Sequence, residues 1–79
     1  MPRYFFHTQF GADTLTDTDG VVLRDPDAAW ERAHSLAASL LATQAGDARL
    51  LAAIIAVQDE AGEIVLEFPV SEAVRPERH

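Results

Sequence analysis

The acidic segment Asp17-Thr18-Asp19-Gly20 comes nearest, by residue type and spacing, to a known chemistry, the binding of calcium. A calcium loop follows D-x-[DN]-x-[DN]-G-x₅-E, in which glycine makes the turn and the last position is a bidentate carboxylate. With Gly20 as that glycine, the first and last ligand positions fall on Leu15 and Pro26, whose side chains offer no oxygen. The segment is therefore typical of a solvated turn, with weak cation binding as the alternative. We predict no metal site and no cofactor.

The histidines lack the partners that a catalytic or metal site requires. Glu31-x-x-His34 has the helical spacing of di-iron bundles, but those sites need a second copy of the motif and further glutamates from facing helices. His7 could meet Asp59 across two paired strands, although a half-exposed structural histidine is the simpler interpretation. The sequence contains no G-x-S-x-G elbow, no glycine-rich phosphate loop and no cysteine. We therefore expect no catalytic residues and a protein that is not an enzyme.

The composition indicates one acidic domain, which we assign to residues 1–79. The 79 residues are 48% apolar and carry thirteen acids against six arginines, for a net charge of −7. A chain of this size buries only ~60% of its unfolded surface, so its core is marginal. The longest apolar run, Leu50 to Val57, is far shorter than the ~20 residues of a membrane span. Since no signal peptide is evident either, we expect a cytoplasmic protein that binds no membrane.

The negative charge also disfavours a nucleic-acid partner. Proteins that bind nucleic acids usually present a basic stripe to the phosphates, and no two arginines are adjacent in this chain. Arg3, Phe5 and His7 would share one face of a strand, as the base-stacking residues of RNA-binding sheets do. The charge of −7 outweighs that likeness. We predict no binding to DNA or RNA.

The first part of the chain is predicted to form a hairpin. Residues 2–9 contain three consecutive aromatics and indicate a strand, both faces of which are apolar near its start. The Asp19-Gly20 turn leads into a second strand at residues 21–23, a hairpin partner of the first. A short strand around residues 14–16 is a further option.

The last part of the chain is predicted to form a second pair of strands. Residues 50–57 are apolar throughout and indicate a central strand, or else a second helix. Residues 63–70 form its partner across the Gly62 turn, and residues 71–79 form a frayed tail. Alternation along this partner strand puts three apolar residues on one face, namely Ile64, Leu66 and Phe68.

One helix is predicted over residues 25–45. Asp25 is a suitable N-cap, Pro26 suits the first helical position, and Gly46 would end the helix in a left-handed conformation. Apolar residues recur at three- and four-residue spacing along one stripe, namely Ala29, Ala33, Leu36, Ala37, Leu40 and Leu41. The predicted class is therefore α+β, a small antiparallel or mixed sheet in β-β-α-β-β order with one helix packed on one face.

A set of motifs is spread over the chain, namely Met1-Pro2-Arg3-Tyr4-Phe5-Phe6, Asp17-x-x-Gly20, Leu23, Asp25, Ala28-Ala29, Val57-x-Asp59-Glu60-x-Gly62 and Phe68-Pro69. Together these motifs resemble a bacterial family of short domains of unknown function. The resemblance covers about residues 1–70 and departs from the usual pattern at Phe10 and Arg32. It implies a compact fold, and it brings no catalytic residues because the family has no assigned activity.

The leading functional hypothesis is a non-enzymatic interaction module that forms a homodimer through its sheet. One helix can cover only one face of a four-stranded sheet, and an open apolar face usually marks an interface. The candidate interface residues are Phe5, His7, Ile54, Ile55 and Val65. The alternative is an antitoxin-like regulatory module, whose acidic surface would cover a small basic partner protein. A small enzyme with its site in a dimer crevice is a third hypothesis.

Overall fold

The computed structural model describes residues 1–44 and 46–74 and shows five antiparallel strands in one sheet, with one α-helix packed on one face. The predicted α+β class is confirmed. Three strands precede the helix where the sequence predicted two, because the optional segment near residue 14 pairs with the first strand. The elements are β1 (Arg3–Phe10), β2 (Asp13–Leu15), β3 (Val21–Val22), α1 (Pro26–Thr43), β4 (Ile54–Gln58) and β5 (Ile64–Pro69).

Strand β1 organises the sheet, whose order is β2-β1-β4-β5. One side of β1 pairs with β4. The other side pairs with β3 at Arg3 and Tyr4 and with β2 from Thr8 onward. The middle of this second side has no strand partner, and the loop between β2 and β3 lies beside it.

Helix α1 begins as predicted and ends earlier. The Asp25 carboxylate accepts a hydrogen bond from the Ala28 N–H at 2.9 Å, which caps the first turn. The helix ends at Thr43 with Gln44 as C-cap, so Gly46 does not directly follow the last helical turn as predicted. Residue 45, the predicted end, lies outside the described residues.

The buried side of α1 is the predicted stripe, in which the alanines are fully buried and the leucines only partly. Small side chains at these positions let the helix lie close to the sheet, while the leucines fill the space beside it. None of the helices in the described residues is long and apolar enough to cross a membrane.

The apolar run at residues 50–57 is not one strand. Residues Ala48–Ala52 form a 3-10 helix, and β4 begins only at Ile54. The Asp47 carboxylate favours this turn, because it accepts from the Arg49 backbone N–H and pairs with the Arg49 guanidinium at 3.0 Å. The turn buries Leu50 and leaves Leu51 59% exposed.

Strand β5 is also shorter than predicted and contains an irregularity. The register shifts between Val57 and Gln58, so Leu66 lies opposite Val57 while Ile64 lies opposite Gln58. Ile64 is therefore on the other face from Leu66, and the predicted alternation is wrong there. A second 3-10 helix, Val70–Ala73, follows β5 and buries its last residue, so the predicted frayed tail does not begin at residue 71. Residues 75–79 of that tail lie outside the described residues.

Candidate functional site

One face of the sheet is left open by the described elements. Helix α1 and the second 3-10 helix lie on the face that carries Phe6, Ile55 and Phe68. The shortest dimension of the molecule is 17 Å, which accommodates a sheet and one covering layer about 10 Å apart. The register defines the open face by three rows of neighbours across β1, β4 and β5: Phe5–Gln58–Ile64, His7–Ala56–Glu67 and Gln9–Ile54–Pro69.

The predicted interface residues separate into two groups. Phe5, His7 and Ile54 lie together on the open face and are partly exposed. Ile55 points the other way and is fully buried, so contrary to the prediction it does not contribute to that surface. The difference follows from strand alternation, because two consecutive residues cannot share a face. Val65 lies at the irregular part of β5 and is 43% exposed.

The open face is more polar than the sequence predicted. Gln9, Gln58 and Glu67 alternate with its apolar residues, while Phe6, Ile55 and Val57 belong to the core on the helix side. Phe5 is also partly covered, because the Gly20 backbone lies against its ring. The face therefore presents a mixed surface, whose main aliphatic groups are Ile54 and Ile64.

His7 connects three parts of the open side of the sheet. Its Nδ1 accepts the Asp17 backbone N–H at 3.1 Å, and its Nε2 lies 2.8 Å from Gln58 Oε1. Since a backbone N–H can only donate, Nε2 carries the proton and donates to Gln58. Gln58 Nε2 then donates to the Gly62 carbonyl at 2.9 Å. The bond to Asp59 considered from the sequence does not form, and both ring nitrogens serve to hold loops in place.

Asp17 holds the loop between β2 and β3 against the unpaired middle of β1. Its Oδ2 accepts the Phe6 N–H at 3.1 Å, and its Oδ1 accepts from Asp19 and Gly20 at 3.0 and 3.1 Å. The predicted turn is confirmed, and the carboxylate also replaces a strand partner for Phe6, a long-range role that no sequence pattern indicates.

The hydrogen bonds of Asp17 also set its ionisation. Partial burial acts to raise the pKa of Asp17, but the three backbone donors outweigh it and lower that pKa below its usual value. The side chain is therefore a carboxylate at neutral pH. Among the described residues no three His, Asp or Glu side chains are grouped to hold a metal ion.

We expect Asp17→Asn to lower the free energy of unfolding by about 1–3 kcal/mol at pH 7, because an amide nitrogen would face one of the bound N–H groups. Since the folded-state pKa of Asp17 is lowered, its contribution is present above the unfolded pKa of about 3.9 and is lost as pH falls through the folded value. Urea unfolding at pH 7 and in stepwise acid measures the difference between variant and parent, which should shrink below about pH 4.

Asp19→Asn is the matched control for this measurement. Its side chain is exposed and makes no hydrogen bond among the described residues, so the variant should stay within about 0.5 kcal/mol of the parent. An equal effect of the two substitutions would contradict the role of Asp17.

A cavity of about 330 Å³ lies on the helix side of this loop. Its apolar walls come from β1, the β2–β3 region and α1, and its polar groups are Thr8, Asp17 and Arg32. No sequence pattern predicts this cavity, because it forms between segments that are distant in the chain. The lining residues are Phe6, Thr8, Leu15, Asp17, Gly20, Val21, Arg32, Leu36 and Leu40.

These features define a small α+β domain with an open sheet face and a cavity between the helix and the β2–β3 loop. The family model of a domain of unknown function, DUF6894, matches residues 3–71, and the protein belongs to that family. This agrees with the predicted resemblance to short domains of unknown function, while a bacterial origin stays a prediction. No curated protein and no solved structure matches the chain.

Proposed function

We propose that this domain is a non-enzymatic interaction module that pairs with a second copy of itself through the open face of the sheet. The main support is that no described helix lies over the face that carries Phe5, His7 and Ile54, in a molecule 17 Å thick. These three residues are partly exposed, whereas Ala56 between them is only 2% exposed. A marginal core gains stability when a second sheet stacks about 10 Å away. A two-fold dimer would bring this same face of both copies together.

The β5 edge of the sheet is a poorer surface for association than its open face. The Val70 N–H donates to the Ala53 carbonyl in line with the pairing of β5 to β4, so by alternation the Pro69 nitrogen points outward. Proline has no N–H to offer a further strand. The charged side chain of Glu67 lies on the same short strand. Both features are common protections against edge-to-edge pairing.

The placement of two ionisable groups supports a role without catalysis. The two nitrogens of His7 are hydrogen-bonded to a backbone amide and to Gln58, and both oxygens of Asp17 accept backbone N–H groups. A general base works best with a pKa near the working pH, whereas the pKa of Asp17 is lowered below its usual value. Each of these two side chains instead connects segments of the fold.

Sedimentation equilibrium of the full chain at micromolar concentrations tests the pairing. We expect a monomer–dimer equilibrium that strengthens with added salt, because each copy carries a charge of −7 and salt screens their repulsion. Ile54→Lys, on the open face, should weaken association at least about tenfold, a change of about 1.4 kcal/mol.

Leu51→Lys is the control, since Leu51 is 59% exposed on the first 3-10 helix and outside the open face. Circular dichroism of both variants checks that they remain folded. Equal weakening by the two substitutions would contradict the choice of face, and a monomer at every concentration and salt level would overturn the proposal. Copurification of a small basic protein with that monomer would instead favour the antitoxin-like alternative.

A further inference from the structure

We propose that the cavity between α1 and the β2–β3 loop binds a small α-amino acid with an apolar side chain. This site would be separate from the dimer face, because the cavity lies on the side of the sheet that α1 covers. Its volume of about 330 Å³ is at the lower end of the ~300–1,000 Å³ usual for ligand sites, so the ligand must be small.

The topology defines which residues lie at each end of the cavity. Strand β3 ends beside Arg3, at the start of β1, and β4 begins beside Gln9, near the end of β1. Because α1 connects these two strands, it runs parallel to β1, from the start of β1 toward its end. On the helix, Arg32 therefore lies toward the start of β1 and Leu40 toward its end.

The opposite wall of the cavity follows the same order. Asp17 lies beside Phe6, whose backbone N–H it accepts, and Leu15 lies opposite Thr8 in the pairing of β2 with β1. Asp17 and Arg32 thus both lie in the half of the cavity toward the start of β1, the polar end, together with Gly20 and Val21. Leu15 and Leu40 lie in the other half, together with Thr8.

The two charges at the polar end have binding capacity left. Among the described residues no carboxylate lies within 4 Å of the Arg32 guanidinium, which leaves its donors free to bind a carboxylate. Asp17 accepts three backbone hydrogen bonds and stays ionised, while a carboxylate has room for about four. One acceptor position therefore remains for an ammonium group.

The presence of both charges selects the ligand class. A ligand with only a carboxylate would bind Arg32 but would be repelled by the negative charge of Asp17. A ligand with only an ammonium group would bind Asp17 but would be repelled by the positive charge of Arg32. A zwitterion satisfies both groups. Its apolar side chain would extend toward Leu36 and Leu40, where burial of apolar surface favours binding.

Titration of the ¹⁵N-labelled full chain with three probes, followed by NMR, tests this assignment. The probes are L-leucine, 4-methylpentanoate, which lacks the ammonium group, and 3-methylbutylamine, which lacks the carboxylate. We expect saturable shifts at residues lining the cavity with L-leucine, with a Kd on the order of 1 mM or below, and at least about tenfold weaker binding of both analogues.

Arg32→Gln removes the group that binds the ligand carboxylate. The variant should bind L-leucine at least about tenfold more weakly, while its affinity for 3-methylbutylamine should not change. Arg24→Gln is the matched control, because Arg24 is also an exposed arginine but pairs with Asp25 outside the cavity. In the Arg32→Gln variant, L-leucine should therefore bind no more tightly than the amine. A variant that was only less stable would lose affinity for both probes alike.

Three results would overturn the inference: no saturable shift with L-leucine at about ten times the expected Kd, equal affinity for 4-methylpentanoate, or equal loss in both arginine variants. Since the two sites lie on opposite sides of the sheet, L-leucine should leave the sedimentation of the protein unchanged, so failure of one proposal does not entail failure of the other.

Discussion

Phe68→Ala should lower the free energy of unfolding by about 3–5 kcal/mol, the usual cost of removing a buried phenylalanine ring. Phe68 is 1% exposed and lies between sheet and helix, with ring centroids of Trp30 and His34 each 5.7 Å away. A domain of this size has only about 5–10 kcal/mol of stability, so we expect a substantial unfolded fraction of the variant at 37 °C.

Urea unfolding followed by tryptophan fluorescence measures this effect directly, because Trp30 is the only tryptophan and contacts the deleted ring. Leu51→Ala provides the control at an exposed site, where we expect a change within about 0.5 kcal/mol. A loss below about 1 kcal/mol for Phe68→Ala would mean that the contact between α1 and β5 is wrongly placed.

Gly20→Ala should lower the free energy of unfolding by about 2–5 kcal/mol, through backbone strain and overpacking rather than through the loss of a buried side chain. Gly20 has φ +72°, where a side chain costs about 1–2 kcal/mol. Its Cβ would also lie 2.9 Å from the Tyr4 carbonyl oxygen and 2.9 Å from the Phe5 ring. The backbone of β1 cannot move aside without breaking its pairing with β3, so overpacking adds to the conformational cost.

Gly11→Ala separates the two contributions. Gly11 has φ +55°, but no atom lies within 4 Å of an added Cβ, so this variant should show the conformational cost alone. Thermal and urea unfolding of the two variants measure the difference. If the free energy of unfolding falls by the same amount in both variants, the β2–β3 loop does not approach β1 closely in solution.

The features that were predictable from the sequence depend on local chemistry. Asp25 followed by Pro26 indicates a helix start in any context, and Gly62 between two apolar segments indicates a hairpin. The spacing of the helical alanines likewise identifies the buried side of α1. These signals need no knowledge of what the element packs against.

The features that were not predictable depend on contacts between distant segments or on a local interaction that competes with an apolar pattern. Nothing near Ile55 tells which side of its strand meets the helix, because the whole run around it is apolar. The Asp47–Arg49 interaction overrides that run and favours a 3-10 helix. The cavity, with Asp17 and Arg32 from separate elements, exists only once the helix has packed beside the loop.

The order of strands in the sheet has a consequence for synthesis of the protein on the ribosome. Strand β1 is made well before its long-range partner β4, which begins only at Ile54, and β5 completes the sheet at Pro69. At about 5–20 residues per second, roughly 3–12 s pass between translation of the end of β1 and the end of β5. Once they have left the ribosome, Tyr4 and Phe6 have no helix-backed sheet to enter until β4 and β5 follow, so the nascent chain exposes an aromatic segment to chaperones and to aggregation. A nascent chain that stops before residue 54 lacks β4 and β5, and therefore cannot form this core.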